Sequence, residues 1–152
     1  MKTRVFPITF SQLLSLLFAF AASTSVYAQA EKRPTIEDMH RLLENTARQV
    51  NTQMSNTRID DYTTLKFVSY DKGVPIFTYY YSSSALQVIG KPKLDEAARK
   101  AMYESNREKT CSSFFSPFMR VFGLKVSHRF ENIATGRLMI DVILSGKDCQ
   151  PR

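Results

Sequence analysis

Two cysteines in 152 residues, Cys111 and Cys149, constrain this chain more than any other pair of side chains. What they can be depends on the compartment, and the N-terminus speaks to that. Lys2 and Arg4 form a short positive region, followed by the apolar run "FPITFSQLLSLLFAFAAS" and the small-residue stretch "VYAQA". This is the layout of a secretory signal peptide over residues 1–28, with cleavage after Ala28 or, alternatively, after Ala30. Pro7, Thr9, Ser11, Gln12 and Ser15 interrupt the run, so its unbroken apolar part is too short for a transmembrane anchor. No cysteine stands at the cleavage site, so no lipid is expected there. No second apolar segment follows. The expectation is an exported periplasmic protein, not lipidated, with no stable membrane insertion after cleavage.

In an oxidising compartment two cysteines most often pair. About 38 residues separate Cys111 from Cys149, and closing such a loop contributes roughly 4 kcal/mol on chain-entropy reasoning. A nucleophile would need a nearby base in an electropositive, partly open site. His128 is a candidate base, and Arg107 and Lys109 lie near Cys111 in sequence, but Cys149 is then left without a partner. A zinc site needs about four ligands, and two cysteines with two histidines show no ligand spacing. A disulfide is expected, with no metal and no cofactor.

Cleavage leaves about 122 residues, 31–152, enough for a single domain around one core. The net charge falls from +7 to about +5. Acidic residues are interleaved with basic ones and no Lys/Arg block occurs, which argues against nucleic acid. An acidic protein face, anionic headgroups or acidic glycans suit such a charge better.

Thr35 is a plausible helix N-cap with Asp38 three residues on. Ile36, Met39, Leu43, Ala47, Val50 and Met54 then recur at steps of three or four, the stripe of an amphipathic helix. Glu37–Arg41 and Glu44–Arg48 are expected i,i+4 pairs on its other side. "NTRIDDYTT" breaks the pattern. "TLKFVSY" and "VPIFTYYY" read as strands joined by a turn at "DKG", with Pro75 marking an edge or bulge. Successive strand residues alternate faces, so Tyr79 and Tyr81 share one face and Tyr80 the other; a tyrosine surface suits protein recognition. "LQVI" reads as a short extended piece. A helix follows over "PKLDEAARKAMYESNREK", with Leu94, Ala98, Ala101, Met102 and Ser105 on its apolar side and Cys111 at its end. Ser116 as cap, Pro117 and Gly123 delimit a second, short helix.

"LKVSHRF" and "RLMIDVILS" alternate most clearly. Leu124, Val126, His128 and Phe130 fall on one face against Lys125, Ser127 and Arg129. Leu138, Ile140, Val142 and Leu144 fall opposite Met139, Asp141 and Ile143. The expected fold is α+β: a four-stranded antiparallel sheet of two hairpins, helices packed on one face, in the order αββααββ. His128 points to the apolar side, where a lone histidine is most often a hydrogen-bonded core residue. No nucleophile elbow, metalloprotease helix or phosphate loop occurs, and five glycines hardly allow one. No catalytic residue is nominated. The candidate recognition surface is the outward side of the last hairpin, with Lys125, Arg129 and Arg137 beside Met139 and Ile143; Tyr79 and Tyr81 are the second choice.

The C-terminal third, a cysteine, an aromatic-rich helix, "GLKVSHRF", a hairpin and "GRLMIDVILSGKDC", resembles short exported Gram-negative proteins. Over residues 94–149 its layout is similar to the disulfide-stapled α/β domain of type II secretion pilotins. That resemblance implies a non-catalytic accessory or adaptor protein of an envelope complex, of secretion or conjugation type, binding a protein partner with an acidic face. The chain departs from such pilotins in lacking a cysteine at the cleavage site. The alternative is an inhibitor or immunity protein acting on an envelope enzyme. Export makes the first prediction: N-terminal sequencing of the periplasmic fraction should start near Gln29 or Glu31, and recovery of Met1 from membrane pellets would refute it.

Overall fold

The computed structural model describes residues 34–150, so the expected leader and its cleavage site lie outside the described residues. Helix α1, Ile36–Met54, begins at the predicted cap. Thr35 Oγ1 accepts from the Asp38 amide (3.2 Å) while the Asp38 carboxylate accepts from the Thr35 amide (3.0 Å). Both halves of a capping box are present, and two amides that the helix cannot serve are satisfied. Met39, Leu43 and Ala47 are buried, whereas Ile36 at the first turn is exposed. The expected Glu37–Arg41 and Glu44–Arg48 pairs do not form: Arg41 lies 4.0 Å from Asp38, and Arg48 donates to the Asn45 side chain. In water such exposed pairs differ by so little that nearer partners win.

Five strands follow: β1 Thr57–Arg58, β2 Thr63–Asp71, β3 Ile76–Ser83, β4 Lys125–Asn132 and β5 Leu138–Leu144, ordered β1-β2-β3-β4-β5 in one sheet. The expected four-stranded antiparallel sheet is corrected twice. β1 adds a short edge where the sequence showed only a break. β3 and β4 run parallel, in register from Ile76 with Lys125 to Ser83 with Asn132, so the sheet is mixed. Parallel neighbours need a crossover, and the chain between them supplies one: α2 Ala85–Val88, α3 Glu96–Cys111 and α4 Phe115–Phe122. With 16 residues, α3 is about 24 Å long, close to the ~26 Å of an eight-residue strand. It returns the chain to the end at which β3 began.

Local chemistry sets the boundaries of that crossover. "LQVI", expected as extended, contributes instead to the single turn of α2. Asp95 caps α3, accepting from the Ala98 amide at 2.9 Å. α4 starts at Phe115 with no side-chain cap, two residues before the predicted first helical residue Pro117 and its cap Ser116, and stops at Gly123, whose φ of 70° is left-handed. Pro75 lies in the turn outside β3, and its carbonyl accepts from the Lys125 amide (2.9 Å), which starts the parallel seam.

All four helices among the described residues serve one face of the sheet. Met39 and Leu43 of α1 and Phe115 and Met119 of α4 pack on Leu65, Val68, Phe77, Val126, Val142 and Leu144. A smaller cluster joins Leu86 and Leu94 to Phe130 and Met139, with Ala98 and Met102 of α3 against it. The predicted stripe on α3 is half right: Ala101 and Ser105 are exposed, and the packed side turns to Tyr103 and Thr110. The cause is the C-terminal tail. Tyr103 donates to Asp148 (2.7 Å), which also accepts from the Ser145 amide and hydroxyl (2.8 Å each). The tail can pass α4 because residue 146 is glycine; a Cβ there would stand 2.7 Å from the Met119 carbonyl oxygen.

This docking brings Cys111 and Cys149 to a Cα–Cα separation of 5.2 Å, at disulfide distance. Non-reducing digestion and mass spectrometry should therefore recover a peptide linking them. Cys149→Ser should lower Tm by several degrees or more, as expected for a loss of roughly 2–5 kcal/mol. Two free thiols in protein taken from an oxidising compartment would refute the link.

Candidate functional site

Two β-bulges decide which side chains reach the surface. In β2 the register passes from Leu65 opposite Tyr81 to Phe67 opposite Tyr80, leaving Lys66 as the extra residue. Leu65 and Val68 therefore both face the helices, and Phe67 is turned outward. In the last hairpin Phe130 pairs with Ile140 but Glu131 pairs with Leu138, so Met139 is the extra residue. A one-residue slip exchanges faces. Met139, expected on the outward side, is 8% exposed in the small cluster, and Leu138 takes its place outside at 49%.

Among the described residues no helix lies on the other face of the sheet. Its apolar groups stand on either side of the polar Thr78, Ser127 and Arg129: Phe67 stacks on Tyr80 with ring centroids 4.2 Å apart and planes at 15°, and Ile143, register partner of Ser127, is half exposed. Lys125 and Arg129 lie on this face, as predicted from alternation. Arg129 is not a free cation: its Nε is 3.4 Å from Glu131 Oε1, and Asp141 is its register partner on β5. Asp141 in turn accepts from the Ser127 hydroxyl. The face thus carries separate apolar groups with mixed charge between them, rather than the basic patch expected.

Arg137 and Met139 lie elsewhere. Both line a groove of about 450 Å³ at the far end of β4, between α2, the segment leading into α3 and the β4–β5 loop. The five residues proposed as one surface are therefore divided: Lys125, Arg129 and Ile143 on the sheet face, Arg137 and Met139 in the groove. Tyr79 and Tyr81 belong to neither. They point at the helices, which corrects their expected role as a recognition surface; the outward tyrosine of the three is Tyr80. Nothing but the choice of face separated these possibilities in the sequence.

His128 is the centre of the inward stack. Its ring lies flat on Tyr79 (5.1 Å, 2°), Nε2 is 2.9 Å from Thr110 Oγ1, and Nδ1 is 3.3 Å from the Tyr81 hydroxyl. It is buried. Desolvation, helped by the nearby Lys109 charge, lowers its pKa to about 4, so the imidazole is neutral at pH 7. Burial raises the phenols of Tyr79 and Tyr81 well above the ordinary value. With both ring nitrogens engaged by hydroxyl groups, His128 is the hydrogen-bonded core residue expected. His40 is also buried, bonded through Nδ1 to the Tyr70 hydroxyl. It follows Met39 on the edge of the α1 stripe, beside the exposed Arg41. Among the described residues no group of three His, Cys, Asp or Glu stands ready to hold a metal ion.

No family model matches the chain, and no curated protein matches it. Solved structures do. A candidate secreted protein of Pseudomonas aeruginosa superposes with a TM-score of 0.59 at 11% identity, over 72% of this chain and 91% of the other. EpsS, the pilotin of the Vibrio vulnificus type 2 secretion system, superposes with a TM-score of 0.59 at 15% identity, over 76% of this chain and 96% of the other. At these identities the likeness is one of fold. It extends over most of the described residues, more than the C-terminal third in which the layout was recognisable.

The buried imidazole makes stability depend on pH with a definite sign. Unfolding releases His128 to an ordinary pKa near 6.5, above its folded value of about 4. Its contribution is complete above pH 6.5, falls as pH drops through the interval, and is gone below about 4. The total is on the order of 3 kcal/mol. Urea titrations should show a steeper loss of stability between pH 6.5 and 4 in the parent than in His128→Gln. Parallel curves would refute the assignment.

Proposed function

We propose that this protein is a non-catalytic periplasmic accessory or adaptor protein that binds a component of a secretion-type envelope complex. The observation that carries this reading is the uncovered sheet face, where the Phe67–Tyr80 stack on β2 and β3 and the half-exposed Ile143 on β5 present apolar surface on rigid strands to either side of Lys125 and Arg129. Exposed aromatic and apolar residues interleaved with arginine are the composition of a recognition surface. The fold shared with a type 2 secretion pilotin supports the class of function. The engagement of His128 by Thr110 and Tyr81 supports a role without chemistry. Export by the leader, without a lipid anchor, belongs to the same reading. No described helix is long and apolar enough to cross a membrane.

Phe67→Ser with Ile143→Glu should reduce recovery of envelope partners in cross-linking pull-downs at least tenfold. Tm should change little, since both side chains are half exposed. Lys125→Glu with Arg129→Glu should slow association, and the loss should shrink as salt rises. Equal partner recovery by the Phe67/Ile143 variant would refute this surface.

A further inference from the structure

The groove at the far end of β4 carries more uncompensated charge than the sheet face. Its floor is Leu86, Leu94 and Met139, all buried beneath the opening. Around it stand Lys91, Lys93, Arg99 and Arg137, and no carboxylate is among the lining residues. Lys91 is held by Asp95 at 2.7 Å. Lys93, Arg99 and Arg137 make no ion pair among the described residues; Arg99 spends only its Nε, on the Leu94 carbonyl (3.3 Å).

The walls are tied together. Gln87 Nε2 donates to Asn132 Oδ1 across the groove (2.7 Å), and the same oxygen accepts from the amides of Ala134 and Thr135. The Asn132 amide donates to the Arg137 carbonyl (2.9 Å), closing the turn beneath that cation. Loop and helix therefore keep one geometry without a ligand, which lowers the entropic cost of binding.

We infer that this groove is a second recognition site and binds an acidic, amphipathic peptide segment of a partner protein. An apolar side chain of the segment rests on Leu86, Leu94 and Met139, and its carboxylates meet Lys93, Arg99 and Arg137. Arginine at two positions allows bidentate pairing with carboxylates. A volume of about 450 Å³ takes a few side chains rather than a whole domain. A membrane surface fits worse. Insertion into a bilayer needs apolar groups that protrude; of the large apolar side chains lining the groove only Leu138 is exposed, at 49%, while Leu86, Leu94 and Met139 form a recessed floor. The inference rests on reading this chain as a protein-binding accessory, and it makes that accessory bivalent.

The test uses disulfide-containing protein purified from the periplasm. The probe is a fluorescein-labelled peptide of about twelve residues combining Glu and Asp with leucines at helical spacing, followed by anisotropy. Binding should saturate, weaken as salt rises, and fall at least tenfold in Lys93→Glu/Arg137→Glu. It should be unchanged in Phe67→Ser/Ile143→Glu, so failure of the sheet-face reading is seen separately. Both groove residues are exposed, and Tm checks that the variant is folded. The inference is overturned if the Gln/Asn version of the peptide binds equally well, if the groove variant binds as the parent does, or if the peptide fails to bind. Capture by phosphatidylglycerol vesicles without peptide binding would overturn it in favour of a lipid headgroup.

Discussion

The parallel pairing of β3 with β4 is the constraint on which the rest of this structure depends. Eight residue pairs, Ile76 with Lys125 through Ser83 with Asn132, join two hairpins that are otherwise ordinary antiparallel units. A parallel seam obliges the chain to leave β3 at one end and re-enter at the other. Every residue between Ser84 and Leu124 serves that passage, and its three helices pack on a single face with α1. The consequences are chemical as well as architectural. The seam sets Tyr79 beside His128 and Tyr81 beside Phe130, while the returning α3 brings Thr110 over the imidazole and Cys111 to the C-terminal tail. The opposite face is left without helices among the described residues.

Much of this was legible in the sequence because it is local. The capping box at Thr35, the stop at Gly123, the alternation of "LKVSHRF" and the inward direction of His128 depend on residues close in sequence, and the structure agrees with each. Strand direction was not legible. A hairpin–helix–hairpin order is compatible with either sense across the seam, and only the length of the crossover, matched to the strands, selects the parallel one.

The bulges at Lys66 and Met139 were hidden for a different reason. Alternation predicts faces only while the count of residues on paired strands stays equal. "TLKFVSY" gives no hint that Leu65 and Val68 share a face. Burial explains the outcome: with the extra residue at 66, both Leu65 and Val68 reach the core, and Phe67 finds Tyr80 instead. With the extra residue at 139, a flexible thioether fills the gap between Leu86, Leu94 and Phe130. The candidate surface of the last hairpin was thereby divided in two by one residue of slip.

The two resulting surfaces differ in how their charge is balanced, and this bears on what each can discriminate. On the sheet face Arg129 has Glu131 at its side and Asp141 across the ladder, so an incoming anion gains little that is not already supplied. Shape and apolar contact with Phe67, Tyr80 and Ile143 must do most of the selecting there. In the groove, Lys93, Arg99 and Arg137 make no ion pair among the described residues, and the floor is apolar and recessed, so carboxylates and a buried side chain would be recognised together on the reading inferred above. The floor is also not isolated. Tyr81 and Ile140 pack against both hydrophobic clusters, and Tyr81 bonds His128. Packed interiors transmit strain, and through Tyr81 the stack along the parallel seam is in contact with the cluster that holds Met139 under the groove.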